Sequence, residues 1–326
     1  MIGVAVLGAG RIGQIHARNV AANQRARLAG VVDVDRSAAE RLATAVGCTA
    51  IDLDAAFAAD AVMICTPTPT HAELIERAAA AGKPVFCEKP VDLGAERVRA
   101  CLAAVERAGI ALMVGFNRRF DPSFRSLHDR LRAGEIGRIE LLSITSRDPA
   151  PPPPAYVASS GGLFRDMMIH DLDMARFLLN EEPIEVYAAA SALVDPAIAA
   201  AGDVDTAIVV LRTASGAIAQ ISNSRRAAYG YDQRIEAHGA TGMLRAGNAT
   251  ATTVERAGVG GFTTDPALPF FLERYAAAYQ AELDTFLSAV LGQRPAVPGG
   301  ADGLAALVLA DAATASARSG HPVRVG

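Results

Sequence analysis

Gly8-Ala9-Gly10-Arg11-Ile12-Gly13 follows the apolar run Ile2–Leu7 and opens a helical pattern over Ile12–Asn23. A glycine turn of this kind lets a diphosphate approach backbone N–H groups at a helix start. Twenty residues past Gly13, at the end of a second apolar run, stands Asp33. A carboxylate there can accept hydrogen bonds from both hydroxyls of an adenosine ribose. The glycine spacing alone is a weak signal. With a strand before it, a helix after it and an acid at this distance it becomes specific. Arg11 and Ile12 lie inside the turn and join Gly8, Gly10 and Gly13 as candidate cofactor-binding positions.

The same alternation continues through the first third of the chain. Strand patterns at Ala26–Asp33, Ala61–Cys65, Pro84–Cys87 and Ala111–Gly115 are separated by helical patterns at Ser37–Val46, Thr70–Ala81 and Leu93–Ala108. The strand runs are short and continuously apolar, as expected of parallel strands covered on both faces. Near Asn117 the pattern changes. A helix is predicted at Phe124–Ala133 and an extended segment at Ile139–Arg147. An irregular or polyproline-like segment follows at Pro149 and Pro151–Pro154, ended by Gly161-Gly162. One helix is predicted over Leu163–Leu179. Strands follow at Glu185–Leu193, Thr206–Arg212, Ala217–Ser224, Gln233–Gly239 and Thr241–Ala246, with Gly216 turning one antiparallel pair. Late helices are predicted at Phe270–Leu291 and Asp302–Ser319. The reading is α/β, with a parallel-sheet domain followed by a domain built on an open mixed or antiparallel sheet.

With 326 residues the chain is long enough for two domains. A formal net charge of -4 gives no basic footprint for nucleic acid. Cys48, Cys65, Cys87 and Cys101 have neither metal-type nor disulfide-framework spacing and read as buried thiols in a reducing compartment. No signal-peptide pattern is visible, and the Ala-rich stretch Leu304–Ala317 is too short to span a bilayer. The expectation is a cytoplasmic protein with no membrane partner.

Three segments carry candidate chemistry. Glu88-Lys89-Pro90 follows a strand, at the edge of a parallel sheet where ligands bind. An ammonium there can hydrogen-bond a substrate hydroxyl and favour a developing alkoxide; an ordinary surface lysine fits the pattern as well. In Asp166-Met167-Met168-Ile169-His170-Asp171, one continuous helix would place Asp166 and His170 as i,i+4 neighbours. Such a dyad suits removal of a proton from an alcohol, and a plain helix salt bridge has the same spacing. Nothing in the segment gives a metal motif, and no metal is expected. Thr66-Pro67-Thr68-Pro69-Thr70-His71 is read in two ways. It lies near a nicotinamide ribose, with Thr66, Pro67 and His71 as contacts, or Thr70 simply caps the next helix. His16 is read as a packing or polar contact.

Long segments of the chain resemble the glucose–fructose oxidoreductase and inositol 2-dehydrogenase family. The resemblance rests on Gly8–Gly13, Asp33, Glu88-Lys89-Pro90, Gly115-Phe116-Asn117-Arg118-Arg119-Phe120-Asp121 and Gly161-Gly162-Leu163-Phe164-Arg165-Asp166-Met167-Met168-Ile169-His170-Asp171. Within the family these look closest to inositol dehydrogenases. The resemblance implies a Rossmann domain at 1–117. It also implies a substrate-binding and oligomerisation domain at 118–326, with an open, mostly antiparallel sheet and late helices that pack back on the first domain. Lys89, Asp166 and His170 would form the catalytic set, with Asn117, Arg118, Asp171 and Tyr231 beside the substrate. Glu88 and Lys89 would also lie at the cofactor. The expected assembly is a homo-oligomer, a tetramer, formed through the open sheet.

Asp33 favours NAD, because a 2'-phosphate beside it would meet like charge. Arg36 nearby leaves NADP as the weaker alternative. The expected reaction oxidises a secondary hydroxyl of a cyclic polyol, with myo-inositol to 2-keto-myo-inositol as the leading case. Another inositol isomer, a pyranose, or a non-catalytic NAD-dependent sugar sensor are the rival readings.

Overall fold

The computed structural model describes residues 1–325, apart from the side chains of residues 154 and 158. The chain divides into two compact units. The first comprises Met1–Phe120 and Ala277–Leu307. The second comprises Asp121–Ala276 and Val308–Gly326.

In chain order the first stretch runs β1 (Ile2–Leu7), α1 (Arg11–Ala22), β2 (Ala26–Val32), α2 (Arg36–Val46), α3 (Leu53–Ala56), β3 (Ala61–Ile64), α4 (His71–Ala80), β4 (Val85–Glu88), α5 (Ala95–Ala108) and β5 (Leu112–Gly115). The five strands form an all-parallel sheet in the order β2-β1-β3-β4-β5. Every residue of β1, β3, β4 and β5 is buried, which explains the unbroken apolar runs. Local chemistry sets the helix ends. Asp35 accepts hydrogen bonds from the N–H groups of Ser37 and Ala38 at the start of α2. Gly47 and Gly109 close α2 and α5 in the left-handed conformation.

The chain continues with α6 (Pro122–Arg132), β6 (Ile139–Arg147), α7 (Pro154–Ser160), α8 (Gly162–Asp166), α9 (Ile169–Leu179), β7 (Pro183–Ser191), α10 (Pro196–Ala200) and β8 (Thr206–Thr213). Then come β9 (Ile218–Ser224), β10 (Asp232–Gly239), β11 (Gly242–Ala246), β12 (Glu255–Gly258), β13 (Gly261–Thr264), α11 (Phe271–Arg274), α12 (Ala276–Val290), α13 (Gly300–Ser319) and β14 (Val323–Arg324). Seven strands form an open sheet in the order β11-β10-β6-β9-β8-β7-β14. The β6–β9 pair is parallel and the other pairs are antiparallel. Its strands alternate buried and exposed residues, so one face is packed and the other is open. Gly216, with φ +91°, sits in the β8–β9 connection as its position in the sequence requires.

In the first unit, α12 from Ala277 onward lies on the parallel sheet. Its Leu283, Phe286 and Leu287 share a core with Val4, Val6, Met63, Phe86 and Met113 of the strands and with Ala17 and Val20 of α1.

Several predicted elements differ from the structure. The helix expected over Leu163–Leu179 is broken after Asp166: Met167 and Met168 both return their N–H groups to the carbonyl of Leu163, and α9 starts afresh at Ile169. The helix expected from Phe270 is interrupted at Tyr275. The proline-rich segment is irregular through Pro153, as expected, but α7 then starts at Pro154, because a proline at the first helical position gives up an N–H that the helix does not use. The β12–β13 hairpin had no apolar pattern to announce it, since all its residues are exposed. Among the described residues no helix is long and apolar enough to cross a membrane.

Candidate active site

In the first unit, the glycine turn joins β1 to α1. Gly8 adopts φ +104°, and a Cβ there would lie 2.6 Å from the carbonyl oxygen of Cys65. A Cβ on Gly13 would lie 1.9 Å from the carbonyl oxygen of Gly8. These glycines let the turn fold tightly against the end of β3, whereas a Cβ on Gly10 would meet nothing within 4 Å. Helix α1 then begins at Arg11 with no side chain of the described residues capping it. A helix start approached by a bare backbone fits the diphosphate of a dinucleotide. Asp33, directly after β2, accepts hydrogen bonds from Ala9 N–H (2.6 Å) and Asp35 N–H (2.8 Å). Each carboxylate oxygen keeps acceptor capacity for a ribose hydroxyl, so turn and acid are held as one piece. Arg36 points its guanidinium at Glu40, Asp52 and the carbonyl of Ala50.

Parallel pairing places the ends of neighbouring strands together. Leu7 pairs with Ile64 and Glu88 with Gly115. The segments that follow these ends therefore share the C-terminal edge of the sheet, where open α/β sheets bind ligands. There stand Thr66 and Pro67, the half-buried Lys89, and the buried Asn117 and Arg118. The Lys89–Pro90 peptide is cis. His71, at the start of α4, spans two of these segments: its Nδ1 lies 2.8 Å from the carbonyl of Pro90 and its Nε2 2.7 Å from that of Thr66. Burial pushes the imidazole below its ordinary pKa, and the two carbonyl contacts oppose that shift. Thr70 does not cap α4, contrary to one of the two readings of this segment. Its hydroxyl donates to the carbonyl of Pro67 instead and also meets the hydroxyl of Thr66.

His16 makes the polar contact expected of it, and its partner is Glu88: Nε2 and Oε1 are 2.6 Å apart. Cys65, Cys87 and Cys101 are buried, and Cys48 is partly exposed, which corrects its reading as a buried thiol. Burial and the nearby Glu88 push the Cys65 and Cys87 thiols well up, so they are poor nucleophiles.

In the second unit, Gly161 and Gly162 both have positive φ. A Cβ on Gly162 would lie 2.5 Å from Oδ1 of Asp203, whose carboxylate accepts the N–H of Leu163. This anchored turn starts α8, which ends at Asp166. The helix break at Met167 and Met168 puts Asp166 at the end of α8 and His170 at the start of α9, not on the one continuous helix expected. Asp166 accepts from the Tyr156 hydroxyl (3.0 Å) and from Nη2 of Arg225 (3.3 Å). Neither partner had a sequence signal. His170 is half-buried in the first turn of α9.

Asp171 is fully buried. It accepts from the hydroxyl of Ser146 (2.5 Å) on β6 and from Nδ2 of Asn223 (2.9 Å) on β9. Gln233 on β10 lies 2.9 Å from the same hydroxyl. The carboxylate next to His170 thus ties the start of α9 to two strands of the sheet, β6 and β9. Tyr231 is buried as well, its ring packed edge-on against Phe270 and Tyr275. Among the described residues, no three His, Cys, Asp or Glu side chains gather as a metal site.

Known proteins place this architecture. Residues 2–116 match the model of an oxidoreductase family with an NAD-binding Rossmann fold, and residues 124–245 match the GFO/IDH/MocA C-terminal domain. The chain is 55% identical over 314 residues to inositol 2-dehydrogenase of Rhizobium meliloti (strain 1021), covering 95% of each chain. The crystal structure of a myo-inositol dehydrogenase from Corynebacterium glutamicum superposes with a TM-score of 0.95 at 46% identity, covering 100% of this chain and 99% of that one. Scyllo-inositol dehydrogenase from Lactobacillus casei, solved with NAD(H) and scyllo-inositol, gives a TM-score of 0.92 at 30% identity and covers 99% of both chains. Fold and glycine turn define an NAD-binding Rossmann oxidoreductase. More particularly, the chain belongs to the GFO/IDH/MocA family.

Proposed function

We propose that the protein oxidises one secondary hydroxyl of a cyclic polyol, with myo-inositol to 2-keto-myo-inositol as the preferred reaction. The observation that carries this reading is Lys89 at the ligand-binding edge of a parallel sheet whose glycine turn and Asp33 suit a dinucleotide. The polyol class follows from the full-length similarity to inositol dehydrogenases.

In this reading, His170 takes the hydroxyl proton as the carbon gives up hydride. Lys89 donates a hydrogen bond to the reacting oxygen and stabilises its developing negative charge. Asp166 supports the imidazolium that forms. NAD, when bound, supplies the hydride acceptor. Gly8, Gly10, Arg11, Ile12 and Gly13 would hold its diphosphate, Asp33 the adenosine ribose, and Thr66, Pro67, His71 and Glu88 the nicotinamide end. NAD is preferred over NADP because Asp33 repels a 2'-phosphate and Arg36 is engaged by two carboxylates. Asn117 and Arg118 would contact substrate hydroxyls. The buried Asp171 and Tyr231 would shape the site from behind.

Copies would assemble, as a tetramer, through the open sheet face, which shows Leu141, Tyr187, Ile208 and Ile218. Four free thiols fit a cytoplasmic setting. The deciding experiment is a panel of inositol isomers and pyranoses with NAD and NADP, scored by reduced-cofactor absorbance. Myo-inositol with NAD should give the highest kcat/KM. Cofactor binding with no turnover on any polyol would instead support a sensor.

A further inference from the structure

Two ionisable side chains meet in the interior of the first unit, next to Lys89 in sequence, and a third is buried on a neighbouring helix. His16 on α1 contacts Glu88 at the last position of β4, and its ring packs on Phe86 (centroids 4.9 Å apart) and edge-on against Tyr279 of α12 (5.6 Å). Gly115 makes room for the Glu88 carboxylate: a Cβ there would lie 2.9 Å from Oε2. Glu282, three residues after Tyr279 and so on the same side of α12, is 0% exposed. Among the described residues neither oxygen of Glu282 has a hydrogen-bond partner, nor does Nδ1 of His16.

We propose that His16 is a positioning residue, which grips the Glu88 carboxylate from α1 and so holds the strand end from which Lys89 departs. This rests on the proposed use of Lys89 as the group that binds the reacting oxygen. An ionised Glu282 would be a buried charge without a donor, beside a second carboxylate. Burial and the charge of Glu88 raise its carboxyl well above the ordinary range, so it sits in the core as a neutral acid. The charged or titratable groups around the cluster are His16 from α1, Cys65 after β3, Cys87 and Glu88 from β4, His71 from α4 and Tyr279 from α12. A neutral Glu282 leaves Glu88 to pair with His16 alone. An ionised one would repel Glu88 and loosen the strand end.

The chain has only two lysines, Lys83 and Lys89, which makes the idea directly readable. Isotope labelling of the lysine ε-methylenes gives two NMR signals, with Lys83 as internal reference. His16→Phe keeps the ring packing and removes the hydrogen bond; His16→Gln restores a donor near Nε2. We expect His16→Phe to move the Lys89 signal alone and to lower kcat roughly 10- to 100-fold, the scale of a misplaced catalytic group. His16→Gln should restore both the signal and kcat. An unmoved Lys89 signal in folded His16→Phe, or in folded His16→Leu should the first not fold, overturns the proposal. So does a His16→Gln variant as impaired as His16→Phe. The NMR readout needs no substrate. A wild-type protein inactive on every polyol would sink the functional reading and still leave the clamp decided.

Discussion

Nη2 of Arg225, a residue 2% exposed, donates to Oδ2 of Asp166 at 3.3 Å. The backbone N–H of Arg225 is in turn bonded to the carbonyl of Asp205, a buried residue whose carboxylate accepts three backbone N–H groups of residues 193–195. Asp166 is thus aimed by a side chain far away in sequence. Removing one member of a buried charge pair typically costs about 3–5 kcal/mol. Arg225→Met should therefore lower stability in urea titrations and reduce kcat, whereas Tyr156→Phe, which removes a neutral donor, should do much less. Equal effects from the two would contradict the assignment of Arg225 as the main support.

His170→Ala should cut turnover by roughly 100- to 10,000-fold, the range for a general base. NAD binding, followed by fluorescence, should be nearly unchanged. Wild-type turnover in this variant would remove His170 from its assigned role.

Cofactor choice is tested at Asp33. Asp33→Ala removes the like charge that opposes a 2'-phosphate and also the acceptor for Ala9 N–H. The ratio of kcat/KM for NAD over NADP should fall by roughly tenfold or more, about 1.4 kcal/mol of discrimination. A ratio that stays put would mean another residue reads the ribose.

Gly162 is a stability test independent of chemistry. Its φ of +80° and the Asp203 oxygen 2.5 Å from a would-be Cβ both oppose any side chain. Gly162→Ala should cost more than about 1 kcal/mol in chemical denaturation. The same substitution at Gly47, where a Cβ meets nothing within 4 Å, should cost less.

Glu282 also gives a pH signature. Its carboxyl is raised from an ordinary value of 4.5, so the folded state keeps a proton that the unfolded chain releases. Stability from this group is complete below pH 4.5 and declines as pH rises toward the folded-state value. Glu282→Gln does not titrate. The difference in Tm between variant and wild type should therefore grow in the variant's favour above that pH. A difference that is constant or shrinks with rising pH would show that Glu282 is ionised in the fold.

What could be read along the chain was whatever depends on near neighbours. The glycine turn, the strand–helix rhythm, Asp33 and the position of Lys89 after β4 are local, because buried parallel strands need continuous apolar runs and tight turns need glycine. Tertiary packing decided the rest. Asp166 and His170 carry a helical spacing, yet the helix is interrupted between them at Met167 and Met168, and Asp166 accepts from the distant Tyr156 and Arg225. Asp171 is satisfied by Ser146 and Asn223, and Glu88 by His16, residues 25, 52 and 72 positions away. A buried polar group must find a partner wherever the fold brings one, and sequence separation places no limit on where that is.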